Sequence, residues 1–351
     1  MHKIQVLLYG ANGYTGELIA RYAKEYGITP VLAGRNETLI RSVAERLQLP
    51  YRIFSLDDAN QLQQQLQDVQ VVIHAAGPFA NTCKQMVEAC IATNTHYIDI
   101  NGDISVFERI KKYDVAAKQA NVMLMPGAGF DVIPTDCTAL HLKEQLPDAT
   151  HLQLAFLPKG GQISHGTATT MASRLGEGGT ARENGELVSK PLGHKSLLVD
   201  INGKKLFTMT IPWGDISTAY HTTGIENIEV YTGMKPTVYR FLKFQFLFNW
   251  ILRKKFVRGY IQQKINSRPA GPTDEQRATA KTTVWGKVWN AKGETKTSVL
   301  ECADGYSVTA WGCLLITQKI MKGDLKTGYQ TPASCYGKDL ILEIPKSKRI
   351  S

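Results

Sequence analysis

Through the first 126 residues short apolar runs alternate with amphipathic stretches. The runs at 4–9, 30–34, 51–55, 70–74, 96–100 and 121–125 read as strands, while 14–26, 37–47, 58–67, 80–93 and 104–120 carry helical spacing. Alternation of this kind builds a doubly wound parallel sheet with right-handed crossovers, and its ligand crevice lies at the carboxyl ends of the strands. The rhythm changes after Pro134. β-rich runs at 151–157, 197–201, 205–211 and 225–231 are divided by Gly-rich turns, and a helix is expected near 163–189. Long alternating runs at 278–289, 297–302 and 306–316 read as antiparallel strands, with Asp304-Gly305 as a turn between the last two. The stretch 331–344 reads as a helix with Pro332 in its first turn. The pattern therefore predicts an α/β chain of two domains. The first covers 1–135 and is completed by 323–351; the second, an α+β domain with a mainly antiparallel sheet, covers 136–322.

The chemistry begins where the first strand ends. Lys3-Ile-Gln-Val-Leu-Leu-Tyr-Gly10-Ala-Asn-Gly13-Tyr-Thr-Gly16 runs from strand through three glycines into a helix. Gly10 permits a tight turn, Gly13 lets backbone amides approach a pyrophosphate, and Gly16 allows close helix–strand packing, with the helix N-terminus facing the negative charge. The first domain is thus read as a Rossmann-type dinucleotide-binding domain. The second strand ends in Arg35 with no acidic residue beside it. An acidic residue there suits a ribose 2′-hydroxyl and an arginine suits a 2′-phosphate, so NADP is the expected cofactor. Two later strand ends complete the crevice. One is His74-Ala-Ala76-Gly77-Pro78-Phe79, where small residues bring backbone close to the cofactor and His74 reads as a packed strand residue. The other is Met125-Pro-Gly127-Ala-Gly129-Phe-Asp131, where the amides after Gly127 are candidate donors to a substrate carbonyl.

Six scattered cysteines with no CxxC pair argue for reduced thiols and against a metal site, and the first strand leaves no room ahead of it for a targeting segment. A cytoplasmic protein without bound metal is expected. The net charge of +10 is concentrated: between Val230 and Thr273 there are nine basic residues and no Asp or Glu, which leaves the remainder near neutrality. A charge so local does not indicate nucleic acid as a partner. Inside this stretch, Phe241-Leu-Lys-Phe-Gln-Phe-Leu-Phe-Asn-Trp-Ile-Leu252 is apolar at nine of twelve positions. Twelve residues are too few to span a bilayer. The segment reads as a core or subunit-interface helix in a homodimer, a lid over a greasy substrate, or a surface that docks a membrane or an acidic carrier protein at 235–268. Three Tyr-x-x-x-Lys spacings, Tyr231/Lys235, Tyr239/Lys243 and Tyr260/Lys264, fall in or beside this Lys- and Tyr-rich stretch. They lie far beyond the position that pair needs in short-chain dehydrogenases, so chance explains them.

Several of these motifs, with Ala33-Gly-Arg35, Tyr97-Ile-Asp99, Gly102-Asp103, Gly166-Thr-Ala-Thr-Thr170, Gly271-Pro-Thr-Asp-Glu-Gln-Arg277 and Thr331-Pro332, resemble the saccharopine dehydrogenase-like family of NADP-binding oxidoreductases. The likeness is greatest to its trans-acting enoyl reductase branch. The resemblance implies a C-terminal helix returning to the first domain. It also implies cofactor contacts from Gly10, Ala11, Asn12, Gly13, Tyr14, Thr15, Gly16, Arg35, Ala76, Gly77 and Pro78, to which the strand-end reading adds Gly127. The expected activity is NADPH-dependent reduction of a hydrophobic acyl-type substrate. Asp131, His165, Tyr220 and His221 are the candidate acids and donors. The alternatives are a dehydrogenase of an amino-acid adduct, as in saccharopine metabolism, and a non-catalytic NADP(H)-binding protein associated with a membrane or partner. The second domain offers Arg174, Arg182 and Arg240 but no arginine cluster for saccharopine's carboxylates.

Overall fold

The computed structural model describes residues 4–174 and 176–350. The chain divides into two compact units, Met1–Ile133 with Gly305–Leu340 and Pro134–Asp304 with Ile341–Ser351. The first unit opens as the alternation predicts: β1 (Ile4–Tyr9), α1 (Tyr14–Tyr22), β2 (Val31–Gly34), α2 (Glu37–Leu47), β3 (Tyr51–Ile53), α3 (Ala59–Leu66), β4 (Val69–His74), α4 (Phe79–Ala92), β5 (His96–Asp99), α5 (Ile104–Lys111), α6 (Asp114–Gln119) and β6 (Met123–Met125). Local chemistry sets the boundaries. Asn36 caps α2 by accepting from the Leu39 amide, and Asp58 and Asp103 cap α3 and α5 in the same way. The expected helix over 104–120 is two helices, broken at Lys112 and Tyr113. Leu7, Leu8, Val71, Val72, Ile73, Ile98 and Leu124 are fully buried, as in a parallel sheet covered on both faces.

The second unit carries α7 (Ile133–Gln145), β7 (His151–Lys159), α8 (His165–Ser173), β8 (Gly179–Glu183), β9 (Glu186–Lys190), β10 (Ser196–Ile201), β11 (Lys204–Thr210), α9 (Asp215–Thr223), β12 (Asn227–Gly233), α10 (Pro236–Leu242), α11 (Asn249–Leu252), α12 (Lys255–Asn266), α13 (Asp274–Thr279), β13 (Lys281–Trp289) and β14 (Thr295–Ala303). Its sheet runs β10-β11-β12-β7-β13-β14, antiparallel except where β12 meets β7, with the β8–β9 hairpin attached to β12. The helix expected near 163–189 ends at Ser173, and 179–190 is this hairpin instead. Asn184 and Gly185 both take positive φ at its tip, the backbone a tight two-residue turn demands.

The chain re-enters the first unit at Gly305, earlier than 323, through α14 (Gly305–Met321), β15 (Gly328–Tyr329) and α15 (Pro332–Tyr336). The expected strand at 306–316 is therefore a helix. Eleven of the seventeen residues of α14 are buried, so it shows no polar face and its sequence lacks the period that marks a surface helix. Its Thr309 and Thr317 hydroxyls bond back to carbonyls one turn earlier. β15 completes a seven-stranded, all-parallel sheet ordered β15-β6-β5-β4-β1-β2-β3. Residues 341–351 go to the second unit, where β16 (Lys348–Arg349) pairs with β14.

Candidate cofactor crevice

The loop after β1 is shaped by backbone touching backbone. Gly10 sits at φ +89°, and a β-carbon there would lie 2.7 Å from the Ala75 carbonyl carbon and the Ala76 nitrogen. Its amide donates to Ala33 O at 2.7 Å, tying the turn to β2. A β-carbon on Gly16 would collide with Gly10 O, so α1 can lie over the turn only with glycine there. Gly13 differs. Its φ is −79°, and an added β-carbon would meet nothing nearer than Gly10 O at 3.4 Å. It is the N-cap of α1, and no side chain caps that helix. The start of α1 is thus the anion-accepting end that a pyrophosphate requires. The Asn12 side chain lies against Gly34, and Tyr14 stacks edge-on to Tyr306 of α14.

Arg35 follows Gly34 at the end of β2 and is exposed. The nearby Glu37 pairs with Arg41, one turn further along α2. Burial pushes the Tyr9 phenol up to about 12, with Arg35 acting against the rise, and Tyr9 donates to Phe54 O at 3.1 Å. At the end of β4, the Ala75 amide donates to Tyr9 O and the Thr82 hydroxyl donates to Ala76 O at 2.8 Å. Gly77 and Pro78 are exposed. The glycines, the first turn of α1, Arg35 and the Ala76–Gly77–Pro78 turn lie at the carboxyl ends of β1, β2 and β4, which are neighbours in the sheet. They fit the pyrophosphate and phosphorylated ribose of NADP.

Beneath the crevice lies a buried polar chain that sequence reasoning passed over. Tyr97 donates to Asp99 Oδ2 at 2.6 Å, which leaves the tyrosine oxygen to accept from His74 Nδ1 at 3.2 Å. Asp99 Oδ1 accepts from the Asn101 amide, from Asn101 Nδ2 at 2.6 Å and from the Gly127 amide at 2.9 Å. Burial acts on every member: it pushes His74 down to about 3, keeping it neutral, and raises Asp99 and Tyr97. The chain links the ends of β4, β5 and β6. Its signal was the i, i+2 spacing of Tyr97 and Asp99, which puts both on one face of β5. Its partners are distant in sequence.

Of the amides expected to polarise a substrate carbonyl, those of Ala128 and Phe130 are taken up internally, as is the amide of Gly127 before them. Gly127 N–H goes to Asp99 Oδ1, Ala128 N–H to Asp99 O and Phe130 N–H to Thr309 Oγ1. Gly127 is buried, with Val132 and Phe107 standing where a side chain would be. Asp131 packs against the backbone of Gly102, and burial pushes its carboxyl up to about 7.

The other candidate acids lie in the second unit, each with its own partners. His165 opens α8, and its Nε2–H donates to Arg268 O at 2.6 Å. Tyr220, on α9, lies beneath the Arg182 guanidinium at 4.1 Å, and His221 beside it is exposed. Arg182 itself donates to Ile216 O and Gly185 O. A further cluster was not anticipated. Glu229 accepts from Lys195 at 2.6 Å and Tyr231 at 2.7 Å, with His194 Nε2 at 3.4 Å. Burial would raise this carboxyl, but hydrogen bonds from His194, Lys195 and Tyr231 outweigh it and hold Glu229 at about 2. Tyr231 is committed to Glu229 and is buried with Ala155, Leu157 and Trp285. That accounts for the Tyr231/Lys235 spacing without catalysis.

Residues 6–125 match the family described as saccharopine dehydrogenase NADP-binding domain. A Caenorhabditis elegans protein named lipid droplet localized protein is 28% identical over 211 residues, covering 55% of this chain and 49% of that one. A putative trans-acting enoyl reductase of Mycobacterium tuberculosis is 30% identical over 190 residues, covering 49% of this chain and 44% of that one. The chain spans about half the length of the curated relatives it matches. Saccharopine dehydrogenase (L-Glu forming) from Saccharomyces cerevisiae shares the fold at 13% identity, with a TM-score of 0.67 over 99% of this chain and 100% of that one.

Proposed function

With residues 6–125 a saccharopine dehydrogenase NADP-binding domain, we propose that this protein is an NADP(H)-dependent oxidoreductase that reduces a hydrophobic, acyl-type enoyl substrate. The observation that carries the reading is the crevice: a glycine turn closed by backbone contact, an uncapped helix start, and Arg35 where an acidic residue would favour NAD. NADPH, when bound, would supply the hydride. Asp131 is the residue of this chain best suited to hold the proton, because a carboxyl near pKa 7 keeps a protonated fraction at neutral pH. The Asp99 chain holds the ends of β4, β5 and β6 in register for the cofactor. The enoyl assignment is supported by the trans-acting enoyl reductase relative. A saccharopine-like adduct is less well served, because Arg182 is engaged by Ile216, Gly185 and Tyr220. The reading includes a peripheral location at a lipid surface, which the name of the C. elegans relative gives for that protein.

The test is NADPH consumption, followed at 340 nm, with trans-2-enoyl thioesters of increasing chain length. Turnover that improves with chain length supports the proposal. Tight NADPH binding without turnover of any enoyl thioester overturns it in favour of a binding protein, and turnover of an imine adduct alone overturns it in favour of an amino-acid dehydrogenase.

A further inference from the structure

We propose that residues 235–268 form an in-plane docking surface for anionic phospholipid, a proposal that rests on the peripheral location included above and names its contact. Among the described residues no helix is long and apolar enough to cross a membrane. The apolar run 241–252 is not one helix but the end of α10, a 3-10 turn at Gln245–Leu247 and the four-residue α11. α10 and α11 bury no residue. Phe241, Phe244, Phe246, Leu247, Trp250 and Phe256 are 58–73% exposed, a concentration of large apolar side chains that water does not favour.

The segment is nonetheless built onto its unit. Gln245, buried at its centre, donates to Leu192 O at 2.8 Å and accepts from the Leu192 amide at 3.2 Å. Arg253 donates to Gly176 O, Arg258 pairs with Glu177, and α12 packs Ile265 and Ile261 on Ala168 and Ala172 of α8. Polar contacts therefore fasten the segment while its aromatic rings face outward.

Charge decides the occupant. The segment holds nine basic residues and no acidic one, and Lys235, Lys243, Lys254 and Lys255 are all exposed. A second copy related by two-fold symmetry would set this charge against itself. An acidic protein would answer the lysines but not six exposed apolar side chains. The boundary between headgroups and acyl chains of an anionic bilayer answers both, with rings inserted and lysines at the phosphates.

The experiment is flotation of the full chain with vesicles of phosphatidylcholine alone or with 30% phosphatidylglycerol, at low and high salt. The expected result is binding to the anionic vesicles that weakens with salt. It should fall at least about tenfold both in Phe246→Ser/Trp250→Ser and in Lys243→Glu/Lys254→Glu/Lys255→Glu, with NADPH affinity unchanged as the sign of an intact fold. No binding by the wild-type chain at low salt overturns the proposal, as does binding that neither variant alters. Two other outcomes also overturn it: a concentration-dependent dimer abolished by Phe246→Ser/Trp250→Ser, and capture by an acidic acyl carrier protein without vesicle binding. Turnover of a short, soluble enoyl thioester is measured in parallel. Docking that fails with turnover intact removes only this inference, and lost turnover with docking intact removes only the enoyl assignment.

Discussion

The crevice at Gly10–Gly16 and the basic aromatic segment at 235–268 are both conspicuous in the sequence, but they encode structure in opposite ways. In the crevice Gly10 and Gly16 are each required by backbone atoms that a β-carbon would strike, while Gly13 has room for one, so the motif fixes geometry residue by residue. In the segment, α10 and α11 bury nothing, and the information is collective: many rings, many lysines, no acids. A motif defined by excluded side chains predicts a shape. A motif defined by composition predicts a preferred environment.

The sharpest way to break this contrast is at Gly16. Gly16→Ala puts a β-carbon into Gly10 O, backbone against a backbone turn that cannot retreat. The expected outcome is a loss of more than about 3 kcal/mol of stability, seen as a large fall in Tm, together with loss of NADPH binding. Gly13→Ala is the control, because its β-carbon has room at 3.4 Å. It should leave Tm nearly unchanged while weakening NADPH by about tenfold or more, since the methyl stands where the pyrophosphate approaches. Equal effects at the two positions would show that the loop is not specified residue by residue.

That specificity explains what the sequence revealed and what it hid. β1, α1 and α2 were legible because their caps, turns and periods are local. The 306–316 segment was misread because α14 is buried all round, and a helix without a polar face offers no period to find. The hairpin at 179–190 was missed although Asn184-Gly185 marks its turn. The His74–Tyr97–Asp99 chain was hidden for another reason: its members are 23 and 28 residues from their key partners, and only the sheet brings them together. Donor amides after Gly127 were expected from loop type alone, and which acceptor an amide finds is a tertiary matter.

Asp131 tests whether the first unit also stores chemistry in burial. Its carboxyl titrates near 7 in the fold, against about 3.9 in an unfolded chain. Between those values the folded chain holds the extra proton, so stability is full below about pH 4 and declines as pH rises through 7. Asp131→Asn should therefore be more stable than the wild type at pH 8, by on the order of 4 kcal/mol, with the difference vanishing near pH 4. Its turnover should drop at least about tenfold. Melting curves at pH 4.5 and 8 decide the first point. A stability difference independent of pH would mean that the carboxyl is not held neutral.

Arg35 carries a smaller effect. Arg35→Ala should weaken NADPH by about ten- to a hundredfold, roughly 1.4–2.8 kcal/mol, with NADH affinity little changed. Fluorescence titration with both nucleotides checks this. Equal losses for the two would assign Arg35 to the shared part of the cofactor instead of the 2′-phosphate.

The smallest expected effect lies in the other region and bears most directly on the contrast. Phe246 is 71% exposed. Replacing a core phenylalanine costs about 3–5 kcal/mol, because its contacts vanish and a cavity remains. Phe246→Ser removes a ring that few protein atoms cover, so its stability should stay within about 0.5 kcal/mol of the wild type. Thermal melts in the absence of lipid measure this. A Tm lowered by several degrees would mean that the ring is packed in solution, and the segment would then be an ordinary structural element with a charged rim. An unchanged Tm would leave an aromatic surface that contributes nothing to folding. With the nine basic residues around it, such a surface would be free to serve the docking to anionic phospholipid proposed above.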